Sequence, residues 1–317
     1  MKVLQVTNNY PTRKLPIFGI FVKEQIDSLI DLGIDIDFFF INAREKGPFE
    51  YIKAIFILAR KLEKNNYDIV HCHHSFSALV LFLASLFKRK KNKYLVSFQS
   101  DPKNEFFGLF YFLFKFRFDG FIFKNKPNIK NKKSYYLPNG VNESLFRPII
   151  KKRACEHLSL DYNNNYILFV SSNKFRKEKR FDLFKKVIKI LQSNYPDFNF
   201  EMIKMININR TEVPYFFNAA SVHLLTSDFE GSPNSIKESI FCNTPVVSTN
   251  VGNVNDICEG LKGCFVSNSN DPKELADLVI NALNIDNFDC RDILIKKGYS
   301  IKNVALKLIT VYNEIKL

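Results

Sequence analysis

The sequence of 317 residues lacks an apolar run long enough to cross a membrane. Its longest apolar stretches, residues 79–87 and 106–114, have nine residues each, whereas a membrane-spanning helix needs about 20. Residues 1–11 contain too short an apolar segment for a signal peptide and indicate instead a strand that enters a turn. We therefore expect a cytoplasmic protein.

Two kinds of short motif are also missing. The six cysteines form no C-x-x-C pair and no Cys/His pairing at zinc spacing, which excludes a disulfide framework and a structural metal site. No G-x-G-x-x-G follows the first predicted strand of either half of the chain. We expect buried thiols, no metal ion and no resident cofactor.

The composition, 46% apolar and 25% charged, is that of a globular protein, with length for two cores of about 150 residues each. The net charge is +14, and the first 150 residues hold most of the excess, with 24 Lys/Arg against 13 Asp/Glu. Basic patches at 88–93 and 124–133, with the Phe-rich stretch 106–118 between them, predict a face for an anionic membrane surface. A solvated surface is the main alternative. Nucleic-acid binding is the weakest one, so no nucleic-acid partner is expected.

Short β-rich runs alternate with stretches of helical period, a pattern typical of parallel sheets covered on both faces. One series of strands runs from 2–7 to 134–137, and a second begins at 167–171 after a turn and a linker. We predict an α/β fold with two Rossmann-like domains, residues 1–147 and 148–299, and a final helix in 300–317. Ligands bind at the carboxyl ends of the strands in such folds, so functional residues should follow strands.

The segment 224–239 ends a strand, passes through a Gly/Ser turn and begins a helix near Pro233. Free amides and the positive end of the helix dipole suit such a helix start to a phosphate. Glu230 precedes the turn and Glu238 lies in the helix, so both carboxylates could accept hydrogen bonds from the hydroxyls of one sugar-containing ligand. The alternative is that Glu230 caps the helix and Glu238 is solvated.

A basic cluster, residues 174–180, follows the first strand of the second series. At the carboxyl end of that sheet it could direct a cation toward a diphosphate leaving group and stabilise its charge. Most charges in such runs are simply solvated, and this is the alternative for each of them.

These motifs occur in a recognisable order. Tyr10-Pro11 with residues 19–25, residues 67–73 and Pro138-Asn139-Gly140-Val141 come before the E-x7-E pair of Glu230 and Glu238, whose neighbours are residues 231–234 and 243–249. In this order they resemble glycosyltransferase family 4 (glycosyl transferases group 1), a family of retaining enzymes with the GT-B fold. The resemblance covers nearly the whole chain.

The resemblance implies two Rossmann-like domains that face each other across a cleft, with the carboxyl-terminal helix packing back on the amino-terminal domain. It also implies metal-independent, retaining transfer of a sugar from a nucleoside diphosphate sugar to a glycan or lipid-linked acceptor, in surface polysaccharide or glycolipid synthesis. Glu230 would contact the sugar hydroxyls and Lys179 the diphosphate. Further donor contacts would come from Gly19, Gln99, Gly231, Ser232, Pro233, Asn234 and Glu238, with Glu238 on the ribose.

Three features depart from the family's pattern. The arginine usual before the lysine falls near Asn173, so Lys174 or Arg176 would supply the second positive charge, and we assign Lys174 to the catalytic set. Gln99 stands where many relatives carry a histidine, and its amide can donate a hydrogen bond but carries no charge. The loop 207–212 is short, which predicts a reduced pocket for the nucleotide base.

Histidines cluster at the end of the third strand, where His73 or His74 could contact the acceptor. A packed or solvent-exposed histidine is the alternative, and a zinc site lacks a further ligand at a sensible spacing. Asp35 and Asp37 mimic a metal-binding D-x-D but lie at the start of a strand, so we expect both to be solvated.

The motifs do not determine the donor base, the sugar or the acceptor. Two other functions stay open. A nucleotide-sugar epimerase of the same fold would turn over the donor without an acceptor, and a non-catalytic sugar-nucleotide-binding protein would bind the donor without transfer.

Overall fold

Two parallel β-sheets, each covered by helices, account for the alternating pattern of the sequence. A computed structural model describes residues 1–86, 92–99, 109–126, 133–171 and 176–317. The first unit consists of Met1–Gly140 and Ile301–Leu317, and the second of Val141–Ser300. The boundary therefore lies a few residues before the predicted one at 147. The reason is that the Val141 N–H donates to Tyr299 O at 2.9 Å and Phe146 is buried in the core of the second unit.

The first unit contains a parallel sheet and a set of connecting helices. Its strands are β1 (Lys2–Thr7), β2 (Asp35–Phe40), β3 (Ile69–His73), β4 (Lys93–Ser97), β5 (Gly120–Phe123) and β6 (Ser134–Tyr136). Its helices are α1 (Ile20–Asp31), α2 (Ala43–Lys46), α3 (Phe49–Lys64), α4 (Ser75–Ser85), α5 (Leu109–Phe114) and, from the end of the chain, α13 (Ile301–Lys316). The strand order is β2-β1-β3-β4-β5-β6.

Both faces of this sheet are buried, because successive side chains of each strand point to opposite sides. Leu4 and Val70 pack in a core with α3, α4 and α5, whereas Val3 and Ile69 pack in a core with α1 and α13. Burial on both faces explains why these strands are nearly continuous apolar runs instead of alternating ones.

The second unit repeats this architecture. Its strands are β7 (Asn165–Ser171), β8 (Phe200–Ile206), β9 (Val222–Leu225), β10 (Val246–Thr249) and β11 (Cys264–Ser267), in the order β11-β10-β9-β7-β8. Its helices are α6 (Lys151–His157), α7 (Phe181–Asn194), α8 (Val213–Ala219), α9 (Asn234–Phe241), α10 (Val254–Cys258), α11 (Pro272–Leu283) and α12 (Arg291–Lys296). Helices α7 and α11 cover one face, and the other face packs against α8 and α9.

The elements that the pattern does not predict are short: α2, α6, α10, α12 and β11. Each has seven residues or fewer, which is too little for a helical or strand period to be recognised. All six thiols are free, and all but the half-buried Cys264 are buried. Among the described residues, no helix combines the length and the apolar composition that a membrane span requires.

Candidate active site

The loops that follow β7 and β9 are joined at the carboxyl edge of the second sheet. Lys179 ends a short 3-10 helix in the first loop, and Thr226 Oγ1 of the second loop donates to Lys179 O at 2.9 Å. The Asp228 N–H donates to Glu178 O at 2.8 Å. Because β7 and β9 are neighbours in a parallel sheet, residues far apart in the sequence meet here.

The predicted donor residues Lys179 and Glu230 form an ion pair in this position. Lys179 Nζ donates to Glu230 Oε1 at 2.5 Å, and the two side chains are only 9% and 14% exposed. Ser227 Oγ donates to the same oxygen at 2.9 Å. Glu230 accepts from Lys179 and Ser227 and from no α9 amide among the described residues, so the alternative that it caps this helix is wrong. A pair this buried holds its geometry, because separation would leave an uncompensated charge.

His223 of β9 lies close to this pair and is fully buried. Burial, and secondarily the positive charge of Lys179, lower the pKa of its imidazole to about 3. The residue is therefore neutral at physiological pH. The sequence does not predict this role for His223, because nothing in a short apolar strand indicates that a cation lies nearby.

The turn from Gly231 to Asn234 leads into α9. The helix begins at Asn234, one residue after Pro233, which has extended backbone angles. Ser232 Oγ accepts a hydrogen bond from the buried Lys237 Nζ at 3.1 Å. Asn234 Oδ1 is buried without a partner among the described residues. Within the described part of the chain, the first amides of α9 have no side-chain cap, as a helix start that receives an anion requires.

A glycine outside the predicted motifs, Gly252, supports this turn. Its φ is +57°, and a Cβ at this position would overlap Gly231 O and lie 2.8 Å from Glu230 O. Backbone oxygens cannot yield as a flexible side chain would, so only glycine fits. The sequence signal is weak, because Gly252 is 21 residues from the turn that it contacts.

Glu238 pairs with an arginine that sequence reasoning does not find. Arg210, in the loop between β8 and α8, donates through Nη1 to Glu238 Oε1 at 2.7 Å. The side chains are 18% and 7% exposed, respectively, so the alternative that Glu238 is solvated is wrong. A basic residue in a loop after a strand was the available signal, but nothing in the sequence connects it with Glu238.

Two further members of the basic cluster, Arg176 and Arg180, pair with carboxylates of the same region. Arg176 Nε donates to Glu178 Oε1 at 2.6 Å, which holds the pKa of the Glu178 carboxyl below its usual range. Arg180 contacts Asp182 and Asp228, both at 3.0 Å. Lys174, which the sequence predicts to belong to the catalytic set, lies outside the described residues.

Two predicted donor residues, Gly19 and Gln99, lie in the first unit. Gly19 precedes α1 with φ of 69°, and a Cβ there would overlap the carbonyl group of Asn9. Gln99 follows β4, and Asn139 Nδ2 donates to its Oε1 at 3.4 Å. Gln99 Nε2 is buried without a partner among the described residues, so its amide retains donors for a ligand.

His73 is packed inside the first unit. It is 2% exposed, and its Nε2 lies 2.8 Å from Gln5 Oε1. Gln5 Nε2 in turn donates to Tyr312 Oη at 3.0 Å, and this hydroxyl lies 2.7 Å from His71 Nδ1. Burial, with the Lys124 charge as a second cause, lowers the pKa of His73 to about 3. His73 thus fits the alternative of a packed histidine.

His74 occupies a different environment. It precedes α4 with φ of 90°, and its Nδ1 accepts the Phe76 N–H at 3.3 Å. The side chain is partly exposed and its ring stacks on Phe76. An acceptor contact therefore stays a prediction for His74, whereas His73 is enclosed.

Lys124, included in a predicted basic surface patch, is buried with 3% exposure. Its Nζ donates to Leu137 O at 3.1 Å, and burial lowers the pKa of the ammonium to about 7. The surface prediction is wrong for this residue, because it directly follows the buried strand β5. Residues 87–91 and 127–132, which hold most of the patches, lie outside the described residues.

The D-x-D at the start of β2 is only partly solvated. Asp35 is exposed as expected, but Asp37 accepts from Lys61 Nζ at 2.7 Å and from Tyr67 Oη at 2.5 Å. The expectation is wrong for Asp37 because α3 brings Lys61 to it. Within the described ranges, no group of three or more His, Cys, Asp or Glu side chains is placed to hold a metal ion.

Family models match both units of the chain. The model described as "Glycosyl transferase 4-like" matches residues 20–123, and that described as "Glycosyl transferases group 1" matches residues 200–284. The chain belongs to the family 4-type glycosyltransferases. A relative of this glycosyltransferase chain, an uncharacterized 41.2 kDa protein in the cps region of Klebsiella pneumoniae, is 24% identical over 253 residues, or 67% of this chain and 68% of the relative.

Solved structures agree with this family assignment at the level of the fold. The lipopolysaccharide outer core galactosyltransferase WaaB is 14% identical, covers 100% of both chains and has a TM-score of 0.72. Anabaena HepE, solved with UDP and glucose, is 11% identical, covers 98% of this chain and 99% of its own, and has a TM-score of 0.70. The predicted GT-B fold is thus confirmed.

Proposed function

We propose that this chain is a retaining glycosyltransferase that moves a sugar from a nucleoside diphosphate sugar to a glycan or lipid-linked acceptor. The observation that carries the proposal is the Lys179–Glu230 pair beside the uncapped start of α9. A cation, a carboxylate and free amides at one sheet edge match a ligand that combines a diphosphate with sugar hydroxyls. HepE, which has this fold, was solved with UDP and glucose.

In this proposal each group has one task. Lys179 stabilises the diphosphate, the amides after Gly231 meet the phosphates, and Glu230 accepts from sugar hydroxyls. The new glycosidic bond forms from the acceptor oxygen to the anomeric carbon as the bond from that carbon to the phosphate oxygen breaks. The leaving phosphate takes the acceptor proton, so no protein base, metal ion or cofactor is assigned. Gly19 and the Gln99 amide complete the donor contacts, with Lys174 as the second cation.

The proposed role is synthesis of a surface polysaccharide or glycolipid in the cytoplasm. The Klebsiella relative belongs to a cps region, and WaaB is a galactosyltransferase of the lipopolysaccharide outer core. These two proteins support a glycan acceptor for this chain.

A membrane-facing helix is a further part of the proposal. On α3, Phe49, Ile52, Phe56 and Ile57 are 72%, 54%, 64% and 53% exposed, and Lys53, Arg60 and Lys64 are exposed on the same helix. Phe and Ile side chains enter a lipid interface, and each nearby Lys or Arg adds about 1 kcal/mol on anionic lipid. Helix α3 is therefore a second candidate for a membrane face, beside the predicted Phe-rich stretch, where Phe112 and Phe116 are 57% and 74% exposed.

The membrane part is tested by sedimentation with vesicles of phosphatidylcholine alone and with phosphatidylglycerol added. We expect binding to the anionic vesicles only, and loss of binding in a Phe49→Ser, Phe56→Ser double variant. Ile150→Ser, which removes a 66% exposed side chain from the second unit, is the matched control. Equal binding by the double variant and the control would contradict the assignment of α3.

The activity is tested with a panel of nucleotide sugars. Donors are first selected by thermal stabilisation and then offered with glycan and lipid-linked acceptors. Glu230→Gln and Lys179→Ala should each lower transfer more than about tenfold, while Lys177→Ala, an exposed lysine of the same 3-10 helix, should not. Near-normal transfer by either variant would remove that residue from its role. Donor turnover without acceptor would indicate an epimerase, and donor binding without turnover a binding protein.

A further inference from the structure

Arg210 is held firmly from two directions. Its Nη1 donates to Glu238 Oε1 at 2.7 Å, and its guanidinium carbon lies 4.5 Å from the centre of the Phe146 ring. A guanidinium stacked on an aromatic face keeps its plane, because rotation would lose the cation–π contact. Arg210 therefore presents a fixed donor to Glu238, and a flexible lysine could not do the same.

The contact with Arg210 uses only one of the two carboxylate oxygens of Glu238. Oε1 accepts from Arg210, whereas Oε2 accepts from no side chain or backbone donor among the described residues. An ionised carboxylate has acceptor sites on both oxygens. Glu238 is thus oriented, with its charge compensated, and retains an oxygen for a second donor.

The position of the pair relates it to the candidate active site. Arg210 follows β8, Lys179 follows β7 and Glu230 follows β9, and these three strands are adjacent in the order β9-β7-β8. The pair of Arg210 and Glu238 therefore lies at the same carboxyl edge as the pair of Lys179 and Glu230. Glu238 is the residue proposed for the ribose, so a donor for Oε2 would be a ribose hydroxyl.

We propose that Arg210 is a positioning residue that aims Glu238 at the ribose diol and so gives the site its preference for ribonucleotides. The inference rests on the proposed function, because it needs a nucleoside diphosphate at this edge. A purely structural role, in which Arg210 only ties the β8 loop to α9, would affect all ligands of the second unit alike.

The test compares ligands that differ in the group that Glu238 would bind. Dissociation constants are measured for UDP, GDP and ADP, for their 2′-deoxy forms and for inorganic pyrophosphate. For the tightest base, the wild-type protein should prefer the ribonucleotide about tenfold, the effect of one charge-assisted hydrogen bond. Arg210→Met should reduce this preference to near one and leave pyrophosphate affinity unchanged.

Three further variants make the result decisive. Arg210→Lys, which retains the charge without the planar fork, should have an intermediate preference and serves if Arg210→Met does not fold. Glu238→Ala should lose the preference, and adding Arg210→Met to it should cause no further change. Arg153→Met, a change of an exposed arginine of α6, is the control and should keep the wild-type preference.

The failures are distinguishable. If the ribonucleotide, the deoxyribonucleotide and pyrophosphate all weaken equally in Arg210→Met, or if the preference stays at its wild-type value, the positioning role is wrong while the proposed function stands. If no nucleoside diphosphate binds the wild-type protein, the proposed function fails and the inference fails with it.

Discussion

Buried polar side chains at the carboxyl edges of the two sheets differ in charge. In the second unit charges are paired, Lys179 with Glu230 and Arg210 with Glu238. In the first unit the buried imidazole of His73 is hydrogen-bonded but kept neutral, since its pKa is about 3. At the edge of ion pairs, each pair holds its geometry because separation would leave a buried charge uncompensated. At the edge of neutral hydrogen bonds, removing one side chain of the network would leave its buried partners without a hydrogen bond.

Among the single substitutions, the largest effect on stability should come from Gly252→Ala, which disturbs the ion-paired edge without removing a charge. The new Cβ would overlap Gly231 O at a φ of +57°. Steric overlap and left-handed backbone strain together should lower the free energy of unfolding by about 3 kcal/mol. We expect weaker nucleotide-sugar binding as well, measured by urea titration and by thermal shift with the donor.

Gly260→Ala is the matched control for this change. Gly260 also has a positive φ, +72°, but nothing lies within 4 Å of the position that its new methyl group would take. It should cost only about 1 kcal/mol and leave donor binding intact. Equal effects of the two substitutions would indicate that backbone strain, and not contact with the turn, makes Gly252 necessary.

Acid should act on the neutral edge, and its effect on stability should grow with each pH unit below 6.5. The pKa of His73 falls from its ordinary 6.5 to about 3 on folding, and burial also lowers the pKa of His71. Below pH 6.5 the unfolded chain therefore binds protons at these histidines, whereas the folded unit does not. The histidine contribution to stability is full above pH 6.5 and is lost as the pH falls toward 3. Each histidine contributes up to about 1.4 kcal/mol per pH unit.

The second unit has one comparable group, His223, so its stability should fall about half as steeply. Hydrogen exchange of peptides from β1 and β3, compared with β7 and β9 and corrected for intrinsic rates, would measure both slopes between pH 7 and pH 5. Parallel slopes in the two units would contradict the contrast drawn between the edges.

The smallest effect should come from Tyr312→Phe, which removes one hydroxyl from the neutral edge. Gln5 Nε2 would lose its acceptor and His71 Nδ1 the hydroxyl beside it. Leaving buried polar groups unsatisfied should lower the free energy of unfolding by about 2 kcal/mol. Urea titration measures the change, with Tyr162→Phe, at a 50% exposed tyrosine of the second unit, as control. Equal stability of the two variants would argue against the network.

Much of the fold could be predicted because long elements carry their own period. The strand Lys2–Thr7 has the bounds that the sequence pattern predicts. The unit boundary could not be predicted as well, since it depends on the pairing of Val141 with Tyr299, which no local pattern encodes. Short helices such as Val254–Cys258 were missed for lack of a period.

In the candidate site, too, local features could be predicted from the sequence and contacts between distant loops could not. Lys179 and Glu230 could be predicted because each follows a strand and motif order links them. The burial of Lys124 could not, although it also follows a strand, because exposure depends on what packs over a residue. The environment of Glu238 required Arg210, which comes from a different loop.

Local order and spacing were enough to establish the alternation of strands and helices, the family and the two residues of the central ion pair. They could not establish which distant groups meet, such as Gln5 with Tyr312, 307 residues apart. Such contacts depend on how parallel strands are ordered in a sheet and on which helix returns to cover it. The strand order exists only in the folded chain, because its hydrogen bonds join residues that are far apart in the sequence and belong to no common repeating pattern.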